Sequence, residues 1–187
     1  MKSPFTFIVE PLQNKRYVNT KQIEDVEFVI NTSQENHLAS NREAVVINTP
    51  INYAGPILPG DILLVHHNVF KFYYDMKGRE RSCKSYFKDN MFFVDTEQFF
   101  MYKQKGKWHS HDRYCFVEPI KTKESLIYKN TKEEPLVAKM VYTNSALEKQ
   151  GVVNGSMVSF MPESEYPFQV DGKKLYRMYD HQITLLL

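Results

Sequence analysis

Several residue classes are scarce in this chain of 187 residues, and each scarcity excludes a class of protein. Only two cysteines occur, Cys83 and Cys115, which is too few for the disulfide framework of a small secreted domain. No apolar run approaches the roughly 20 residues that a membrane-spanning helix needs, and residues 1–11 lack the apolar region of a signal peptide. We therefore expect a cytoplasmic protein without a membrane partner.

Charge of one sign is also scarce, because the formal net charge is only +2. A near-neutral chain has no general basic field, so nucleic acid is an unlikely partner. What the chain does have is aromatic residues, with 13 Phe and 12 Tyr against 7 Gly. Aromatic side chains favour the half-buried surface of a β-sheet.

Motifs for catalysis and metal binding are absent from the sequence. There is no phosphate-binding glycine motif, no HExxH and no GxSxG. His66 and His67 are adjacent, so in a strand they would point to opposite faces. Cys83 and Cys115 lack a partner cysteine at zinc-site spacing. We expect no catalytic residues, no metal and no cofactor, and therefore a protein that is not an enzyme.

Alternation of apolar and polar residues dominates the chain and predicts strands broken by turns, for example over residues 62–74 and 91–103. Helical spacing occurs only over residues 145–151, with Ser145 as a possible N-cap. Many short strands joined by regular turns are typical of sandwiches and small barrels. The predicted fold class is all-β, with two tandem small β-barrels.

The prediction of two barrels comes from an internal repeat. FIVEP at Phe7 recurs as CFVEP at Cys115, and two further landmarks, Gly60 and Gln98, recur as Gly155 and Gln182. Landmarks that recur in the same order indicate duplication of one unit. The polar, basic segment 102–114 precedes the second copy. We therefore place the domains at residues 1–106 and 107–187.

The order of elements in each copy resembles the GroES-like co-chaperonins, the lid subunits of the chaperonin machine. The most specific motifs are PGDILLV at residues 59–65 and DNMFFVDTEQFFMY at residues 89–102. The resemblance implies two tandem GroES-like small β-barrels, a GroEL-like chaperonin ring as partner, and self-association into a ring, heptameric in that family. The Lys-, Asn- and Phe-rich composition hints at a phage source, in which case the compartment is the host cytoplasm.

The resemblance assigns chaperonin binding to an apolar tripeptide in a polar loop, and Phe28, Val29 and Ile30 match that position. The first copy would carry this mobile loop, which orders when it binds a groove of the chaperonin. The alternative interpretation is that the tripeptide belongs to an ordinary core strand. The second copy, which is shorter, has no such tripeptide in a long polar loop.

Ring assembly is expected to use both apolar ends of the chain. In GroES-like rings the last strand of one subunit pairs with the first strand of its neighbour, which hides two sheet edges. The resemblance therefore assigns the oligomer contact to side chains at both ends of the sequence: Phe5, Phe7, Val9, Leu185, Leu186 and Leu187.

Two alternatives stay open. Small barrels with exposed aromatic residues can bind single-stranded nucleic acid, and residues 70–88 mix basic and aromatic side chains. A GroES-like barrel could also serve as a structural or virion ring protein without chaperonin binding.

Overall fold

The computed structural model describes residues 1–17, 20–23, 26–29, 40–122 and 133–187, with backbone only for residues 20–23 and 26–29. It confirms an all-β architecture. The strands are β1 (Phe7–Pro11), β2 (Thr20–Ile23), β3 (Val26–Val29), β4 (Glu43–Asn48), β5 (Ile62–Val65), β6 (Phe72–Tyr74), β7 (Glu80–Ser82), β8 (Tyr86–Lys88), β9 (Met91–Val94), β10 (Phe99–Gln104), β11 (Lys107–Ser110), β12 (Tyr114–Lys121), β13 (Glu133–Tyr142), β14 (Met157–Phe160), β15 (Tyr166–Val170), β16 (Lys173–Tyr179) and β17 (Ile183–Leu186); the helix is α1 (Ser145–Lys149), and 3-10 turns cover Leu12–Asn14, Thr96–Gln98 and Asp180–Gln182.

The chain divides into two compact units, Met1–Lys107 and Trp108–Leu187. The first unit is built on a seven-stranded sheet in the order β11-β10-β5-β4-β1-β9-β8, in which β11 begins at the last residue of that unit. Phe7, Phe70 and Phe99 are fully buried in its core, where the ring of Phe7 contacts that of Phe99 edge-on at 5.5 Å. Burial of large aromatic side chains supplies much of the driving force for folding.

The second unit has a six-stranded sheet in the order β15-β16-β12-β13-β14-β17. Its core cluster contains one phenylalanine, Phe160, and mostly smaller side chains, of which Cys115, Val117, Met140 and Val158 are fully buried. The strand order repeats that of the first unit, in which β8, β9, β1, β4, β5 and β10 occupy the same places. The two units therefore share one strand order.

Strand register matches between the copies residue by residue. In the first unit Val9 lies opposite Val46 and Pro11 opposite Ala44. In the second unit Val117 lies opposite Met140 and Pro119 opposite Ala138. A register slip of one residue would turn every side chain to the other face of the sheet, so the equal register preserves the same core-facing positions. The first repeated motif thus occupies equivalent positions in the two sheets.

The turn that contains the glycine landmark has an equivalent backbone hydrogen bond in each of the two units. The Gly60 N–H donates to the Val46 carbonyl at 2.7 Å, and the Gly155 N–H donates to the Met140 carbonyl at 2.7 Å. The φ angles are 94° at Gly60 and 95° at Gly155, a region that residues other than glycine rarely adopt. Glycine recurs in the sequence because this turn requires it twice.

Two expectations about the fold need adjustment. Across the described residues, the first and last strands of each large sheet do not pair with each other, so closure into tandem GroES-like barrels stays a prediction. The helix predicted over residues 145–151 begins at Ser145, but the capping side chain is that of Asn144, which accepts the Leu147 N–H at 2.9 Å. Residues 62–74 hold two strands with a turn between Val65 and Phe72, as the alternation predicted.

Candidate partner-binding surfaces

The segment that contains the predicted chaperonin-binding tripeptide begins and ends at one place in the first unit. Tyr17 and Ser40 form an isolated antiparallel bridge, and the Asn41 N–H donates to the Arg16 carbonyl at 2.9 Å. The buried Asn41 side chain also donates to the Lys15 carbonyl at 2.7 Å. A buried amide whose bonds are satisfied by the backbone fixes the positions of the chain that it joins. The 22 residues from 18 to 39 are thus tied at their base.

Within this segment, β2 and β3 form a two-stranded antiparallel sheet, with Phe28 opposite Lys21 and Val29 opposite Thr20. Phe28 and Val29 thus have extended backbone, whereas Ile30 lies outside the described residues. The described part of this sheet has only two strands, so each has an outer edge that can accept a strand from a partner. Chaperonin binding by the three residues stays a prediction.

The second unit closes the equivalent connection much earlier. Lys121 in β12 lies opposite Glu133 in β13, so only 11 residues separate the paired positions. Residues 123–132 lie outside the described part of the chain. The connection at this place therefore has 22 residues in the first unit and 11 in the second. The longer connection is the one that contains the apolar tripeptide.

An apolar edge is present at the last strand of the second unit. β17 pairs with β14 and ends the six-stranded sheet, with Leu185 opposite Ser159. The exposed fractions of Leu185, Leu186 and Leu187 are 59%, 54% and 62%. Among the described strands β17 has no second neighbour, so the three exposed leucines lie beside an open strand edge, and both features favour pairing with another chain.

The first strand does not offer the matching surface that the ring prediction requires. Phe7 and Val9 are fully buried in the core of the first unit. β1 lies between β4, which pairs with residues 8–11, and β9, which pairs with residues 7–9, so each of its hydrogen-bonding edges has a partner. A neighbouring subunit cannot pair with this strand unless one of those partners is displaced. Of the predicted contact residues at this end, Phe5 alone is exposed, at 84%.

The histidine and cysteine positions have structural explanations. The strand ends at Val65, so His66 and His67 do not alternate as expected, and their ring centroids lie only 4.1 Å apart. Burial raises the pKa of the Cys115 thiol to about 12, which makes it a poor nucleophile. Across the described residues no group of three or more His, Cys, Asp or Glu side chains is placed to hold a metal ion.

One arrangement that the sequence analysis missed is an arginine enclosed by aromatic rings in the first unit. The Arg16 guanidinium lies 5.2 Å from the Phe92 ring centroid and 5.3 Å from that of Tyr86. Its Nε donates to the Asn90 Oδ1 at 3.0 Å. Such cation–π contacts stabilise a packed arrangement. The sequence signal, a basic residue just before the long polar segment, is too common to have identified it.

The helix in the described part of the chain is too short and too polar to cross a membrane. In comparisons with known proteins, no family model matches the chain, and no curated protein matches it either.

Proposed function

We propose that this protein is a non-enzymatic co-chaperonin with two GroES-like units, of which the first contacts a GroEL-like chaperonin ring through Phe28, Val29 and Ile30. The observation that carries the proposal is the asymmetry between the two copies. Both have the same strand order, but the first has a 22-residue connection tied at its base by Tyr17 and Ser40. That connection contains the apolar tripeptide.

The physical basis of binding is strand addition with apolar anchoring. Phe28 and Val29 already have extended backbone, which is the conformation in which a peptide is added as a strand to a partner groove. Ordering a segment on binding costs several kcal/mol, which keeps a single contact weak and reversible. A ring of such contacts gains affinity through effective concentration. Folding energy would come from ATP hydrolysis by the chaperonin, and this protein would close the chamber.

Ring assembly is the second part of the proposal, and the β17 edge supports it. The three exposed leucines gain burial if a second copy covers them, at roughly 1.5–3 kcal/mol for each fully buried side chain. Because both edges of β1 are occupied, the strand that receives β17 is one other than β1. A heptamer follows from the family resemblance alone.

The test is to mix the protein with a chaperonin and ATP and to look for capped complexes by size-exclusion chromatography and negative-stain imaging. The variant Phe28→Ser/Val29→Ser/Ile30→Ser should lose capping. A matched control, Ile51→Ser/Leu58→Ser, changes two exposed apolar residues of the same unit and should cap normally. Capping by the triple variant at wild-type level, or none by the wild-type protein with its host chaperonin, would contradict the proposal.

The structural-ring alternative separates cleanly in the same experiment. A protein that forms rings but never associates with the chaperonin, with or without ATP, would fit a structural ring protein. The β17 edge is compatible with both functions, so assembly alone does not discriminate between them. Chaperonin binding through residues 28–30 discriminates between them, because only a co-chaperonin requires it.

A further inference from the structure

The first unit contains a hairpin between β5 and β8, where the equivalent connection of the second unit is short. Twenty residues separate β5 from β8, whereas five separate the equivalent strands β14 and β15. The added chain forms the hairpin β6–β7, a two-stranded sheet of its own. It is anchored at its base by Phe70, which is fully buried, and by Phe72, whose ring contacts that of Tyr17 edge-on at 5.4 Å. An anchored base with an exposed tip is suited to contact a partner.

Strand pairing brings basic and aromatic side chains to one face of this hairpin. Tyr73 lies opposite Arg81, and the Asp75 N–H donates to the Arg79 carbonyl at 2.9 Å. Directly opposite residues share a face, and every second residue along a strand returns to it. We define the cationic face as Lys71, Tyr73, Asp75, Arg79 and Arg81.

Asp75 organises the two arginines of the cationic face. Its Oδ2 accepts the Arg79 Nε–H at 3.0 Å and the Arg81 Nε–H at 3.3 Å. Hydrogen bonds from the Arg79 and Lys77 backbone and from both arginine side chains hold the pKa of Asp75 below its ordinary value. One carboxylate thus positions two guanidinium groups, which leaves positive charge in excess on side chains that are 59% and 51% exposed.

The hairpin region carries more positive charge than the net charge of the whole chain suggests. Residues 71–84 contain five basic and two acidic side chains, a net charge of +3, while the whole chain carries +2. The rest of the chain is therefore slightly acidic. Two tyrosines of β6, Tyr73 and Tyr74, are each 50% exposed, and the side chain of Met76 at the tip is fully exposed.

We propose that the cationic face of the β6–β7 hairpin binds single-stranded nucleic acid, a function beyond chaperonin capping. Arg79 and Arg81 contact backbone phosphates, and Tyr73 stacks on a base. Single strands present both a phosphate backbone and unpaired aromatic faces, which matches a surface of guanidinium groups beside an exposed phenol ring. An acidic peptide would satisfy the charge and leave the tyrosine without a role. The expectation that nucleic acid is unlikely rested on net charge, which averages over this local excess.

The first test measures binding of a fluorescein-labelled 20-nucleotide oligothymidylate to the full chain by anisotropy over a range of salt concentrations. The wild-type affinity should fall linearly on a log–log plot against salt, because binding to phosphates releases counterions. Arg79→Gln/Arg81→Gln should weaken binding at least about tenfold at low salt and reduce the slope by about 1.4, or ~0.7 for each phosphate that is no longer neutralised. The control Lys149→Gln/Lys173→Gln removes the same charge from exposed positions of the second unit and should leave the slope unchanged.

The second test separates stacking from charge. Tyr73→Ala should weaken oligothymidylate binding by at least about fivefold with an unchanged salt slope, and Tyr73→Phe should retain binding because the ring is kept. A labelled 20-residue polyglutamate serves as the competing polyanion. The proposal is overturned if oligothymidylate does not bind at low salt, if the two charge variants behave alike, or if polyglutamate binds as tightly and Tyr73→Ala has no effect. The last outcome would assign the face to an acidic protein.

Discussion

The final strands of the two units occupy equivalent places in their sheets and differ sharply in exposure. β10 pairs with β5 through Met101 opposite Leu64, and β17 pairs with β14 through Leu185 opposite Ser159. Met101 is fully buried, whereas Leu185 is 59% exposed. β10 has a neighbour on each side in its sheet, but β17 is an end strand. Among the described strands, the equivalent strand is therefore paired on both edges in the first unit and on one edge in the second.

This difference is one of several between the two units. The first unit has a longer chain at two places, the connection tied at Tyr17 and Ser40 and the β6–β7 hairpin, and its last strand has a neighbour on each side. The second copy is shorter and keeps an apolar edge. Under the functions proposed above, binding of other molecules is concentrated in the first unit, and self-association in the second.

The largest expected effect tests whether the two cores contribute equally. Phe7 and Cys115 occupy equivalent core positions, but only Phe7 contributes an aromatic ring, which contacts Tyr53 and Phe99. Phe7→Ala should reduce the free energy of unfolding of the first unit by about 3–5 kcal/mol, because it removes a large buried ring and leaves a cavity. Cys115→Ala, which removes one sulfur atom, should cost the second unit about 1 kcal/mol.

Trp108 provides a readout for the second unit, because its side chain is hydrogen-bonded within that unit, although its strand β11 is the end strand of the seven-stranded sheet. It is the only tryptophan of the chain, it is buried, and its Nε1–H donates to Asp171 at 3.0 Å. In urea titrations, Phe7→Ala should shift the tyrosine and circular-dichroism transitions while the tryptophan transition remains near that of the wild type. Equal shifts of all signals would show that the two units unfold as one.

The repeat was predictable from sequence because its turns have strict chemical requirements. Gly60 and Gly155 are needed for a positive φ, and the side chains of Gln98 and Gln182 accept backbone N–H groups at 3.0 and 2.8 Å in equivalent 3-10 turns. Such residues remain recognisable after the surrounding strands have diverged. Apolar alternation likewise marked most strands, since each has one core-facing side.

Strand neighbours were not predictable from the same information. The sequence of β1 shows an apolar strand, but nothing in it says that both edges are occupied, because pairing depends on strands far along the chain. Phe7 and Val9 were therefore assigned to an oligomer contact although they are core residues. The cationic face was hidden for a related reason, since Asp75, Arg79 and Arg81 meet only once the hairpin forms.

The second prediction concerns the exposed edge. Leu185→Ser/Leu186→Ser should weaken self-association by roughly 30-fold or more, since about 2 kcal/mol or more of apolar burial is removed from each interface. Sedimentation velocity at several protein concentrations would measure the shift toward smaller species. The control Val153→Ser/Met161→Ser changes two other exposed apolar residues of the second unit and should assemble normally. An unchanged distribution for the leucine variant would remove β17 from the interface.

The third prediction concerns the glycine turn, which has the same backbone conformation in both units. Gly60→Ala and Gly155→Ala each force a side chain into a positive φ, while the space that the added methyl group would occupy is open in both turns. Backbone strain alone should therefore cost each unit roughly 1–2 kcal/mol. Chemical denaturation should give similar losses in the two variants, with only Gly155→Ala shifting the Trp108 signal. A clear inequality would show that the turns are not equivalent in energy.

The smallest expected effect concerns acid stability, in which the copies should differ. The Arg113 Nη2 donates to the Asp180 Oδ1 at 2.8 Å, and this interaction holds the pKa of Asp180 below its ordinary value. His181 also lies near, with its Nδ1 3.6 Å from the same oxygen. The equivalent position of the first unit is Thr96, which does not titrate.

The direction in which stability changes with pH follows from the lowered pKa of Asp180. The pair stabilises the second unit above the unfolded-state pKa of about 3.9, and this contribution is lost as the pH falls through the lower folded-state value. Arg113 is 58% exposed, so solvent screening keeps the contribution of the pair to stability small. Asp180→Asn should lower the stability reported by Trp108 at pH 7 by that small amount and leave it unchanged near pH 2. Glu165→Gln, an equal change of charge in the same unit, should not reproduce this pattern; if it does, general charge rather than the Arg113–Asp180 pair governs the acid response.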